Sequence, residues 1–150
     1  MSVSFALARR SSGPARGRPV VTLHGLFASA ANWRPLETHL PELRWHHLDL
    51  RNHGLSPHAA TMSLDEMAED VLKTLPDIDA PALLGHSLGG KVAMRCCELH
   101  PGRFSCLIIE DIAPFRYPDR HLVELETMLS LPLAARETRQ SLEKRLLDKI

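Results

Sequence analysis

No stretch of this sequence approaches the ~20 consecutive apolar residues that span the hydrocarbon core of a bilayer, so no membrane span is expected. Excess charge of either sign is missing as well. Lys plus Arg and Asp plus Glu both total 18, which argues against a nucleic-acid binder with its basic face and high pI. The one basic concentration, Arg9, Arg10, Arg16 and Arg18, lies in a Ser/Gly/Pro-rich stretch without interleaved aromatics and reads as a solvated loop. Met1 to Ala8 has neither a basic start nor a long apolar core, so no secretory leader is expected. Cysteine is scarce and odd in number: Cys96, Cys97 and Cys106 give no disulfide framework, and reduced thiols in a cytoplasmic protein are the expectation. Nine histidines are present, yet no C-x-x-C or H-E-x-x-H spacing frames a metal. Gly85, Gly89 and Gly90 do not make G-x-G-x-x-G, and Lys91 lacks the framing of a phosphate-binding loop. Neither a metal nor an organic cofactor is expected. Internal repeats and low-complexity tracts are missing too.

What remains is an apolar fraction of 44% and a charged fraction of 24% in 150 residues, the profile of one soluble globular domain. Ser2 to Ala8 alternates as a half-buried strand would, and Arg9 to Pro19 reads as a loop. Pro19 to His24 is a short β-branched run suited to an interior parallel strand. Ser29 or Asn32 is placed to cap a helix carrying Trp33, Leu36 and Leu40. Arg44 to Leu50 is a third strand, ending in the turn chemistry of Arg51-Asn52-His53-Gly54. Ser63 and Glu66 form a capping box for a helix that sets Leu64, Met67, Val71, Leu72 and Leu75 on one face and stops at Pro76. Ala82 to Leu84 runs into Gly85-His86-Ser87-Leu88-Gly89, followed by a helix that ends at His100-Pro101-Gly102. Phe104 to Asp111 is a fifth strand. Cys96 and Cys97 fall on the preceding helix, where cysteine reads as a small buried residue.

The order β, β, α, β, α, β, α, β implies an α/β fold with an open, mostly parallel sheet flanked by helices. In such sheets reactive groups gather at the carboxyl edge. That edge collects His24-Gly25-Leu26-Phe27, Asp49 with Arg51 to Gly54, Ser87, and Glu110-Asp111. Gly85, Ser87 and Gly89 spell G-x-S-x-G between a strand and a helix, the setting of a nucleophile elbow. A serine hydroxyl needs a base to attack an ester carbonyl, and the oxyanion that forms needs preorganised donors.

Four motifs in order carry a resemblance: Leu23 to Ser29, Asp49 to Pro57, Gly85 to Lys91, and Asp111 to Pro114. From about residue 20 onward the chain resembles the α/β-hydrolase family, and within it the YbfF-like and abhydrolase-domain-11-like small esterases. The resemblance implies an α/β-hydrolase fold and an enzyme with Ser87 as nucleophile. Its oxyanion donors would be the backbone N–H groups of Leu88 and Leu26, with Phe27 the near alternative. Asp111 has two readings: the triad acid that orients a histidine, or a residue that orders the loop beyond the fifth strand. Glu110 falls on the other face by alternation. The family's histidine follows a later strand, and none of the histidines here holds that position. His86 is expected to point away from Ser87, and His24 and His53 to orient loops.

Residues 1–114 are therefore expected to form the N-terminal part of a hydrolase core. Residues 115–150 are expected to begin a helical cap, with Asp119 capping a helix of Leu122, Leu125 and Leu129, and a second helix from about Leu133 through Leu142 and Leu146 to Ile150. The chain is expected to be incomplete, with about 100 further residues in a complete domain of this kind. The expected activity is cleavage of small-molecule carboxylic esters, or thioesters, through an acyl-enzyme. A catalytically inactive fragment or interaction module is the alternative, and cofactor-free perhydrolase chemistry within the fold stays open. A carboxylate-dependent dehalogenase does not fit a serine at position 87. No nucleic-acid partner is expected, and oligomeric state is left open.

Overall fold

The computed structural model describes residues 5–117, 122–130 and 138–147. Its first unit ends at Pro114 and its second begins at Phe115. In the first, β1 (Arg9–Ser12), β2 (Pro19–Leu23), β3 (Arg44–Leu48), β4 (Ala82–His86) and β5 (Cys106–Glu110) form one sheet in the order β1-β3-β2-β4-β5. Only β1 runs antiparallel; β2, β3, β4 and β5 are mutually parallel neighbours. The expected open, mostly parallel sheet is what the chain forms. Register matters for the site. Leu23 lies opposite both Leu48 and Gly85, and His86 opposite Glu110, so four strands finish together at one edge.

Helix α1 (Arg34–His39) follows a 3-10 turn at Ala30–Trp33, α2 spans Leu64–Thr74, and α3 spans Leu88–Leu99. The expected helix around Trp33 is thus broken in two. Pro35 lies in the first turn of α1, where its missing N–H costs nothing but cannot continue a preceding helix. Ser29 does enter a capping box with Asn32. The Ser63–Glu66 box at α2 closes in both directions, Ser63 N donating to Glu66 Oε2 at 2.9 Å. The core lies where Val21, Leu23, Leu48, Leu50 and Leu83 of the sheet region meet Met67, Val71 and Leu75 of the α2 segment and Val92, Ala93 and Cys96 of α3. Burial pushes the Cys96 thiol up to about 12, so it serves as a small apolar residue.

The first strand is not where alternation placed it. Ser2 to Ser4 lie outside the described residues. Phe5 to Ala8 is held mostly by side chains, Phe5 N donating to Asp70 Oδ1 (2.6 Å), Leu7 N to Thr74 Oγ1 (2.8 Å) and Ala8 N to Ser56 Oγ (2.9 Å), with one backbone bond from Asp49 N to Ala8 O (3.1 Å). The strand begins at Arg9, a polar edge antiparallel to β3. Edge strands favour charge over alternation because their outer side faces water.

The β1–β3 seam carries an acid-sensitive group. His46 is 6% exposed, and its Nδ1 meets Ser11 Oγ at 2.8 Å. Burial, with Arg9 and Arg44 adding repulsion, lowers its pKa from 6.5 to about 4. Burial also lowers His47 and His24. A histidine kept neutral by the fold contributes its stability above the unfolded pKa and loses it as pH falls through the folded one. Urea unfolding should therefore show stability falling between about pH 6.5 and 4, with up to roughly 3 kcal/mol from His46 alone. A flat profile over that window in the native protein, or an unchanged one in His46→Leu, would contradict this assignment.

In the second unit, α4 (Leu122–Ser130) and α5 (Arg139–Leu147) are amphipathic only in part. Leu125 is half-buried, whereas Leu122 and Leu129 of the expected stripe are exposed. Asp119, Leu133 and Ile150 lie outside the described residues. Among the described residues no helix is long and apolar enough to cross a membrane.

Candidate active site

Strand β4 delivers Ser87 to the carboxyl edge, and α3 starts at the next residue. Ser87 has φ 50 and ψ −115, a conformation that costs an L-residue energy. It stands at the N-cap of α3, yet its hydroxyl makes no capping bond. A serine placed there for helix stability would be extended and would accept from the first turn. Here the backbone does the anchoring: Ser87 N donates to Glu110 O at 3.0 Å, and Ser87 O accepts from Lys91 N at 3.2 Å. The turn closes because its glycines leave no side chain to keep strand and helix apart. A Cβ on Gly85 would lie 2.3 Å from Gly89 O, and one on Gly89 would lie 2.3 Å from Leu23 O.

The end of β2 meets this turn. A Cβ on Gly25 would lie 3.4 Å from Ser87 Cβ and 2.8 Å from His86 Nδ1, so the imidazole fills the space a side chain would need. His24 beside it is 1% exposed and fully engaged. Leu50 N donates to its Nε2 at 3.0 Å, which leaves the proton on Nδ1, and Nδ1 donates to Gly25 O at 2.8 Å. Burial lowers its pKa, in keeping with a neutral ring. His53 Nδ1 bonds Arg51 O at 2.9 Å, and its ring lies 4.9 Å from that of His24. Both histidines orient loops.

Asp49 is a tether that sequence reasoning placed at the edge without a task. Its carboxylate accepts from Ala30 N (2.7 Å) and Leu55 N (3.0 Å), joining the loop after β2 to the loop after β3. The local signal was Gly54, whose φ of +52 and whose absent Cβ, 2.2 Å from the carboxylate carbon, both suit this closure.

Asp111 follows β5 with φ 53, and its carboxylate Oδ2 stands 3.9 Å from His86 Nε2. His86 thus lies between Gly25 and Asp111. Phe27 also has positive φ, 63, and its ring is 64% exposed. Three of the five non-glycine residues with positive φ among those described, Phe27, Ser87 and Asp111, therefore flank one site, where backbone strain is most often kept for function. Among the described residues no hydrogen bond reaches Ser87 Oγ. Beside Gly25 and His86 opens a cavity of about 320 Å³, with Ala28, Trp33, Pro35, Leu36 and Glu110 in its lining.

Comparison with known proteins gives the same architecture. The family model described as the alpha/beta hydrolase fold matches residues 18–146. "Esterase YbfF" of Escherichia coli (strain K12) is 39% identical over 112 residues, 71% of this chain and 43% of that protein. "sn-1-specific diacylglycerol lipase ABHD11" of Danio rerio is 36% identical over 107 residues, 68% of this chain and 34% of that one. A solved structure, "Marine microorganism esterase", superposes with a TM-score of 0.90 at 34% identity, covering 98% of this chain and 59% of that one. The chain spans less than half the length of either curated relative. With a strained strand–Ser87–helix turn on a mostly parallel sheet, a match over residues 18–146 and relatives of this closeness, the chain belongs to the α/β-hydrolase fold family.

Proposed function

We propose that this chain is the nucleophile-bearing part of a serine hydrolase that cleaves small carboxylic esters, with thioesters as acyl donors of the same kind. Ser87 Oγ attacks the acyl carbon, the bond from that carbon to the leaving oxygen or sulfur breaks, and the hydroxyl proton passes through an imidazole base to the leaving group. Water then attacks the acyl-serine, releasing the acid and restoring Ser87. The observation that carries this reading is the Ser87 turn: a strained backbone, an N-cap position and a hydroxyl that caps nothing. The esterase and lipase names of the relatives support the reaction class.

Leu88 and Leu26 are the donors we assign to the oxyanion. Leu88 is the first residue of α3, so its N–H is one of those an α-helix leaves without an internal partner. The Gly25 carbonyl accepts from His24 Nδ1 and from Ala28 N (3.2 Å), and in a trans peptide the Leu26 N–H points the opposite way. Phe27 remains the alternative donor. Asp111 is assigned as the acid that orients the base; its place directly after β5, one residue beyond the position level with His86, supports that over a capping role, and it makes no capping bond among the described residues. We assign the base to no histidine among the described residues. Residues 115–150 are read as the start of a helical cap.

A catalytically inactive chain is the second reading, favoured by the lack of any histidine hydrogen-bonded to Ser87 Oγ among the described residues. A fluorophosphonate probe decides between them. Intact mass should show one adduct per chain, gone in Ser87→Ala. Absence of the adduct in the native protein as isolated, at its full length, would favour the inactive reading.

A further inference from the structure

The loop from Gly25 to Ala30 carries both candidate oxyanion donors, Leu26 and its alternative Phe27. Among the described residues the hydrogen bonds of Leu26 to Ser29 are local: Ala28 N donates to Gly25 O at 3.2 Å, and Ser29 N to Asn32 Oδ1 at 3.1 Å. Each end of the loop is held by a side chain. At Gly25 the holder is His24, whose Nδ1 donates to the carbonyl. At Ala30 it is Asp49, whose Oδ1 accepts the buried Ala30 N–H at 2.7 Å. Asp49 is itself fixed from several sides. Its Oδ2 accepts Leu55 N (3.0 Å), its carbonyl accepts Ser56 Oγ (2.5 Å), and its N–H donates to Ala8 O (3.1 Å). At 6% exposed it has little water to turn to, and bonds from backbone N–H groups to a carboxylate are among the stronger ones. Phe27 keeps a φ of 63, which a residue with a side chain holds only where its surroundings enforce it. The Cβ position of Gly25 lies 3.4 Å from Ser87 Cβ, so slack in this loop arises beside the serine.

We propose that Asp49 is a positioning residue for hydrolysis at Ser87: by holding Ala30 N and Leu55 N together, its carboxylate keeps the loop after β2 taut, with the donor N–H beside the serine. The proposal rests on the reading of Ser87 as nucleophile and of this loop as the source of a donor, but not on which of Leu26 and Phe27 donates. Once Ala30 is released, Phe27 relaxes from its positive φ, and the peptide between Leu26 and Phe27 turns with it. A donor turned away no longer stabilises the oxyanion, a loss that falls on the transition state and not on binding of the ester. The loop after β3 takes part through Gly54. A Cβ there would lie 2.2 Å from the Asp49 carboxylate carbon, so a methyl on that loop should displace the carboxylate and be felt at Ser87.

The test uses the protein at its full length and a fluorophosphonate. In Asp49→Ala the maximal rate of Ser87 labelling should fall about 100-fold, with the half-saturating probe concentration changed by less than about twofold. Asp49→Asn still offers one oxygen but sets an NH2 group against the other N–H, and should lose about tenfold. Gly54→Ala keeps the carboxylate but displaces it, and should slow labelling too. Arg103→Met is the stability control. It removes the bonds to Leu75 O and Ile78 O before β5, at the other end of the strands from Ser87, and should label at the native rate. Amide exchange adds a readout that needs no chemistry. Ala28 N bonds Gly25 O and not Asp49, so its exchange should quicken about tenfold in Asp49→Ala while that of Val21 inside β2 stays native. With the native protein labelled, four results would each overturn the positioning role alone: native-rate labelling of Asp49→Ala or Gly54→Ala, equal slowing in Arg103→Met, unchanged Ala28 exchange, or equal quickening at Val21. No labelling of the native protein would sink the hydrolase reading, and the positioning role with it.

Discussion

Asp70→Ala is expected to cost about 3–5 kcal/mol of folding stability, the range for breaking a buried ion pair from one side. Asp70 is 0% exposed and Arg51 only 1%. The guanidinium holds the carboxylate with two bonds, Nε to Oδ2 at 2.6 Å and Nη2 to Oδ1 at 3.0 Å, and also donates to Thr61 O (3.2 Å) and Glu66 O (3.3 Å). Asp70 Oδ1 further accepts Phe5 N. Removing the carboxylate strands a cation and a backbone donor away from water. Glu66, 3.2 Å from Arg51 Nη1 but nearer solvent, offsets only part of this. A domain is stable by about 5–15 kcal/mol in total, so the loss is a large share. In urea the midpoint should fall by roughly 2 M at a typical slope. Arg51→Met combined with Asp70→Leu should recover most of it, because apolar replacements of similar volume leave no stranded charge. A loss under about 1 kcal/mol in Asp70→Ala would mean that water reaches the guanidinium after all.

This pair also marks a limit of what the sequence made legible. Arg51 sits in a run of turn residues and was read as turn chemistry. Its partner did leave a trace: Asp70 is an acid between Met67 and Val71 on the buried side of α2. A charge on an apolar stripe asks for a partner, but nothing local says which loop supplies it. The same distinction runs through the fold. Strands β2, β4 and β5 could be read because each is a short, largely apolar run closed by turn residues, β3 from the turn chemistry of Arg51 to Gly54 that follows it, and α2 because its capping box is written in four consecutive positions. Strand β1 could not, since its pairing with β3 is set by residues more than thirty positions away and its exposed side carries arginine and serine. At the candidate site, the tight strand–helix turn of Gly85, Ser87 and Gly89 was legible because it is local. The approach of His86 to Asp111 depends on the β4–β5 register, which aligns His86 with Glu110 and so places Asp111 one step beyond. The cavity beside Gly25 draws Trp33, His86 and Glu110 from three separate segments, and no spacing rule joins them.

Gly89→Ala should damage the turn around Ser87 as much as a methyl on Gly85 would, since each Cβ meets backbone at 2.3 Å, but at Gly89 the clash is with β2. Its Cβ would meet Leu23 O at 2.3 Å, Leu23 C at 2.6 Å and His24 O at 2.7 Å. All three are backbone atoms of the central strand and its end, which cannot swing aside as a side chain would. The start of α3 must therefore retreat from β2 by the better part of an ångström. Overpacking of this kind costs about 1–3 kcal/mol, readable as a lower urea midpoint. The larger effect falls on chemistry, because Leu88 N–H and Ser87 move with the helix while Gly25 stays with the sheet. Misplacement of about 1 Å is worth roughly 100-fold in rate, and fluorophosphonate labelling of Ser87 should slow by that order. Gly102→Ala is the matched control. Gly102 has φ +81 but open space where a Cβ would go, so the variant should lose about 1 kcal/mol to backbone conformation and label at the native rate. Equal labelling by Gly89→Ala and the native protein would show that the β2–α3 contact does not set the oxyanion geometry, and the donor assignment to Leu88 would fall with it.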